Sequence, residues 1–229
     1  MIESLPTYVV VTFITTTLIT VGLFLLAIKR SRDDKRVPVA IYLILGLWML
    51  IQAILGWNGF YRNFNAVPPR FLLTLLPPLA VIVYFLIAQK QAILQLPIRL
   101  LTFIHVIRIP VEIILFWLYQ NGHIPQLMTY EGRNFDILAG ITAPMISQVA
   151  FRGGYVHKGL LIFWNILTLG LLLNIVTNAI LSAPFPFQLF ANEQPNIAVF
   201  FFPFTWLPSV IVQIVLFCHL ASLYNLTRQ

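Results

Sequence analysis

The chain has 229 residues, of which 9% are charged and 59% hydrophobic, and its mean hydropathy is +0.89. So little polar material cannot cover a globular domain of this size, which excludes a water-soluble fold and makes a bilayer the solvent. The net charge of +7 sits in short stretches between apolar runs rather than in a basic groove, so nucleic acid is excluded as a partner.

The apolar runs predict an all-α polytopic membrane helix bundle in one transmembrane domain, 1–229. About seven transmembrane helices are expected, over 7–28, 37–57, 71–88, 100–119, 137–151, 159–181 and 199–224. A barrel would instead show short alternating strands. The first run has no basic stretch before it and charge after it, so it reads as a retained helix and not a signal peptide. Its threonines, Thr12 to Thr20, can bond their own backbone. The fifth run holds only about 15 apolar residues, roughly 22 Å at 1.5 Å per residue, so it needs a thinned bilayer or shielding by neighbours. The third and seventh runs share a pattern, Thr74-Leu75-Leu76-Pro77-Pro78 against Thr205-Trp206-Leu207-Pro208-Ser209, each followed by a Val-Ile-Val stretch. That similarity suggests a three-plus-one-plus-three internal repeat.

Basic residues set the orientation, because Lys and Arg in short loops resist translocation. Lys29, Arg30, Arg32, Lys35, Arg36, Lys90, Arg99, Arg152, Lys158 and Arg228 fall on one side; Arg62, Arg70 and Arg133 fall on the other. The amino terminus is therefore expected outside and the carboxyl terminus in the cytoplasm, with a bacterial inner (plasma) membrane as the compartment. Trp57, Trp117, Tyr119 and Trp206 fall near the outer boundary, where amphipathic rings are favoured.

The fourth run carries His105, Arg108 and Glu112 among aliphatic residues, with Pro110 between the last two. At 100° per residue the three share one helix face, and an Arg108–Glu112 pair at i,i+4 is expected to neutralise the charges. Two roles fit such a pair: fixing helix packing, or forming the polar centre of a cavity. His105 and His219 lie at matching depths in the fourth and seventh runs, which makes them the candidate axial ligands of a haem b. The single cysteine, Cys218, excludes an intramolecular disulfide. Asn174 and Asn178 in the sixth run and Gln213 in the seventh are expected to bond across helices, with Asn174 a further candidate ligand contact. The loops on the outer side are rich in aromatic and charged groups. Trp57, Tyr130, Glu131 and Arg133 are candidate lid residues, whereas Glu131, Arg133 and Asp136 can also form a local turn network.

These residues point to a small-molecule transporter or membrane-embedded ligand-binding protein with its polar site on the fourth helix. A ligand anion is expected to meet Arg108, and Glu112 is the candidate proton-coupled group. No cofactor is required by this reading; the lipid bilayer and a small molecule are its partners, with a second membrane protein or another copy as a further one. The alternatives are a haem-binding or redox protein using His105 and His219, or a lipid-modifying enzyme. The enzyme lacks a recognisable nucleophile or metal motif, and the seventh run has no lysine to hold a retinal.

Overall fold

The structure, a computed structural model, describes residues 2, 5–31 and 38–228. Arg32, Lys35 and Arg36, on which the orientation partly rests, lie outside the described residues, as does Val37 at the start of the second expected span. The described chain is all-helical: α1 (Thr7–Arg30), α2 (Val39–Trp57), α3 (Leu72–Ala88), α4 (Lys90–Leu94), α5 (Ile98–Ile104), α6 (Arg108–Gln120), α7 (Ile137–Val149), α8 (Lys158–Leu181) and α9 (Val212–Arg228). Five helical stretches are long and apolar enough to cross a membrane: α1, α2, α5 joined to α6, α8, and Leu207–Arg228. Helices α3 and α7 are apolar but shorter.

Proline and glycine mark the boundaries. Pro6, Pro38 and Pro97 immediately precede α1, α2 and α5, where the missing N–H removes no helical bond. Helices α2 and α6 both end at an Asn-Gly pair whose glycine takes a positive φ, Gly59 at 72° and Gly122 at 76°. At Gly122 the paired bonds His123 N to Leu118 O and Gly122 N to Tyr119 O close the last turn of α6.

The fourth run is not one regular helix. A 3-10 turn over His105–Ile107 joins α5 to α6. Pro110 has no N–H for the carbonyl four residues earlier and its ring crowds that carbonyl, so the tighter turn just before it accommodates the proline. The seventh run differs more. Residues 199–206, expected to be helical, instead contain a 3-10 turn (Ala198–Phe200) and irregular backbone; helix begins at Leu207 with a single π-helical segment to Ile211. Pro203 therefore lies in a loop and Pro208 at the start of a helix, whereas Pro77, Pro78 and Pro144 are inside helices. Helix α7, at 13 residues, spans about 20 Å.

The Leu207–Arg228 stretch and α5 with α6 form the centre and are mostly buried, while α2 is mostly exposed and presents Leu43, Ile44, Leu47 and Leu50 outward. A helix apolar on all sides suits either a protein interior or lipid, and α2 leaves its apolar side chains outside the protein interior. Two indole hydrogen bonds help anchor it: Trp48 Nε1 donates to Ser209 O at 2.9 Å and Trp206 Nε1 to Met49 O at 2.9 Å. The core beside the site is aliphatic and aromatic, with Phe200 meeting Phe71 and Phe185 edge-on and Phe13 against Phe204.

Candidate functional site

Arg108 is the centre of a buried polar network, but its partner is not Glu112. It pairs with Asp136, at the start of α7: Nε donates to Oδ2 at 2.5 Å and Nη2 donates to Oδ1. The sequence reading placed Asp136 in an outer-loop turn network, and the expected i,i+4 pair does not form. The fork of a guanidinium matches both oxygens of a carboxylate from another helix, a geometry that Glu112, one turn along the same helix, does not supply.

The remaining donors of Arg108 are also engaged. Nη1 and Nη2 reach the carbonyl of Thr168 on α8 at 3.3 and 3.2 Å, and Nη1 faces His219 Nε2 at 3.4 Å. A guanidinium has no acceptor, so His219 Nε2 accepts and its Nδ1 carries the hydrogen. Nδ1 then donates to Asn165 Oδ1 at 2.9 Å, and Asn165 Nδ2 donates to Leu161 O at 2.8 Å. Each N–H of Arg108 thus has an acceptor within the protein, and none is left over for the ligand anion expected there.

Asn134 holds the two carboxyl groups in relation to each other. Its Nδ2 donates to Glu112 Oε1 at 2.5 Å and to Met128 O at 3.1 Å, while its Oδ1 accepts from the backbone N–H of Asp136 at 3.0 Å. The loop places Asn134 through a tight fold in which Gly132 N donates to Thr129 O and Arg133 N to Leu127 O. A Cβ at Gly132 would collide with the Gln126 carbonyl, so this fold requires glycine.

Beside the network is a cavity of about 80 Å³. Its walls are Ile107, Val111 and Leu115 around Arg108 and Glu112, Leu172, Ile175 and Val176 of α8, Ile211, Val212 and Val215 at the start of α9, and Phe71 and Leu75 at the start of α3. Ala179 and Ile180 of α8, Leu207 and Pro208, and Met128, Ala183, Asn196 and Val199 from the connecting segments also line it. The lining is almost wholly apolar, with Asp136, Arg108, Glu112 and Asn196 as its polar groups. Glu112 is 1% exposed, and its Oε2 has no hydrogen-bond partner among the described residues.

His105 and His219 are neighbours, with ring centroids 4.0 Å apart and planes 30° from parallel; Trp164 meets His105 edge-on at 5.3 Å. A haem iron needs its two axial nitrogens on opposite faces of the porphyrin, each about 2 Å from the metal. Rings stacked this closely leave no room for a porphyrin between them.

The comparisons with known proteins place the chain without describing an activity. A family described as Domain of unknown function (DUF8737) matches residues 69–227. The chain belongs to that family. No curated protein and no solved structure matches it. The matched segment contains every residue that lines the cavity and leaves α1 and α2 outside.

The remaining sequence candidates lie away from the cavity wall. Asn174 is exposed on α8, where Nδ2 donates to Arg133 O at 2.8 Å and Oδ1 accepts from Asn178. Tyr130 stacks on Phe116 at 5.0 Å, the Arg133 guanidinium lies 5.7 Å from the Phe190 ring, Glu131 is exposed, and Trp57 packs on Phe202. The residues that sequence reasoning missed are Asp136, Asn134 and Asn196. Their signal was faint but present: Asn134 and Asp136 stand two apart immediately before an apolar run, the spacing at which an asparagine side chain bonds the following backbone.

Proposed function

We propose that this protein is a small-molecule transporter or membrane-embedded ligand-binding protein whose site is the cavity between α3, α6, α8 and the start of α9. The reading takes all seven apolar stretches as spans, with α3 and α7 accommodated by their neighbours, and an outside amino terminus from the distribution of Lys and Arg. Loop residues in the cavity wall then put it toward the outer side.

One observation carries the proposal: an apolar cavity that ends on a buried carboxyl with an unpartnered oxygen. A carboxyl with one oxygen unpartnered is a costly thing to keep in a membrane helix, and such residues mark ligand or ion sites. Apolar walls with a few convergent polar groups are the usual constitution of a small-molecule site. Arg108 with Asp136 is the internally neutral pair that fixes the frame, and Glu112 is the group left for a ligand or a proton.

Xenon tests the cavity, because it enters dry apolar spaces without needing a polar partner. With the protein in lipid nanodiscs, xenon-129 resonance is expected to show saturable binding, and Ala179→Leu, which adds side-chain volume at the wall, is expected to abolish it. Binding that persists unchanged in a folded Ala179→Leu variant contradicts the proposal.

A further inference from the structure

The hydrogen-bond balance of the cavity restricts the chemistry of its ligand. Five N–H groups of Arg108 point to Asp136, Thr168 O and His219. The Asn196 amide Nδ2 donates one of its two hydrogens to Ala179 O at 3.1 Å. Two acceptors are left without a partner among the described residues, Glu112 Oε2 and Asn196 Oδ1, both from residues in the cavity wall. Asn196 is 1% exposed, so water at the surface does not serve it.

Charge points the same way. The buried set holds one cation, Arg108, against two carboxyls, Asp136 and Glu112, and Arg108 is matched to Asp136. The other titratable groups packed against it are His219, which accepts from Arg108, and His105 stacked on His219. Neither makes a hydrogen bond or ring contact with Glu112. A buried Glu112 is therefore balanced by a proton or by a cation from outside the chain.

Resting on the ligand-binding reading above, we propose that the cavity takes a small alkylammonium ion, which displaces a proton from Glu112. The alkyl part fills the apolar walls, and the ammonium N–H groups donate to Glu112 Oε2 and Asn196 Oδ1. In the exchange the O–H bond of the Glu112 carboxyl breaks, the proton leaves to solvent, and the arriving ammonium pairs with the carboxylate; no bond to nitrogen is made or broken. The cavity limits the alkyl part to a few carbons, since it has about half the volume of the roughly 150 Å³ apolar cavity that accepts benzene. An anionic ligand finds no unmatched cation in the cavity, because Arg108 is paired with Asp136, and is disfavoured.

Three probes of one size separate the possibilities: propylammonium, propan-1-ol and propionate, each titrated against the protein in zwitterionic nanodiscs by saturation-transfer NMR. A pH-indicator dye in weak buffer counts protons. Propylammonium is expected to bind at least about tenfold more tightly than propionate and to release one proton per ion bound. Glu112→Gln, which keeps an acceptor for Asn134, is expected to weaken propylammonium at least about tenfold and to change propan-1-ol less than about twofold. Where Glu112→Gln fails to fold, Asn196→Leu is the second variant, expected to weaken propylammonium selectively. Propionate binding more tightly, or propylammonium indifferent to both variants, overturns the ligand class. The cavity reading survives that result if propan-1-ol still binds and Ala179→Leu blocks it. If none of the three binds, both proposals fall.

Discussion

Arg108 and Asp136 meet side by side, Nε to Oδ2 at 2.5 Å and Nη2 to Oδ1, across 28 residues of sequence and between two helices. This pairing frees Glu112 from the role its spacing suggests, and it ties the start of α7 to α6.

Removing one member of such a buried pair leaves the other charge without compensation. Asp136→Ala is expected to cost about 3–5 kcal/mol, and replacing both partners by apolar residues, Arg108→Met with Asp136→Leu, is expected to recover most of it. Denaturant unfolding in detergent micelles measures all three; a double variant no more stable than the single one contradicts the pairing.

The two histidines are expected to respond differently. Both ring nitrogens of His105 lack a partner among the described residues, so His105→Leu removes no hydrogen bond and changes stability by less than about 1 kcal/mol. His219→Leu strands Asn165 Oδ1 and costs about 1–3 kcal/mol. Thermal unfolding of the two variants side by side checks the order.

Glycine substitutions report how closely the site is built. A Cβ at Gly140 would lie 2.8 Å from Ile109 Cγ1 and 2.9 Å from Ile109 N, where α7 crosses α6. Gly140→Ala is expected to cost about 1–3 kcal/mol as overpacking. At Gly132 the obstacles are backbone, the Gln126 carbonyl and Leu127 Cα at 2.5 Å, so Gly132→Ala is expected to cost more and to disturb the loop that carries Asn134. Equal stability of the two variants contradicts this.

Away from the site, Tyr61 is fully buried and donates its hydroxyl to Gln52 Oε1 at 2.6 Å. Burial pushes its phenol up from the ordinary 10 to about 12. The folded protein holds that proton more tightly than the unfolded chain, so this contribution to stability is complete below about pH 10 and is lost as pH rises through about 12. Tyr61→Phe is expected to lower stability at neutral pH and to flatten the decline between those values, as read from unfolding at a series of pH values.

The sequence made the class of fold legible because hydrophobicity over about 20 residues is a local property, and five of the expected spans have counterparts long enough to cross a membrane. It misplaced the start of the last helix because 199–206 is as apolar as the helix that follows; burial of Phe200 and Phe204 in a loop satisfies the same composition. Arg108 and Glu112 were legible as exceptions to lipid. Their partners were not, since an i,i+4 pair can be counted along one helix whereas Asp136 reaches Arg108 only after the chain has turned through the Met128–Asn134 loop. The stacking of His105 on His219 was half legible: their depths could be matched, but adjacency depends on how the helices pack.

A structure determined experimentally with propylammonium bound tests the central claim most directly. The account predicts density in the cavity with the nitrogen within hydrogen-bonding distance of Glu112 Oε2 and Asn196 Oδ1, and Arg108 still paired with Asp136. A cavity closed by Leu172 and Ile175, or Glu112 paired directly with Arg108, would contradict it.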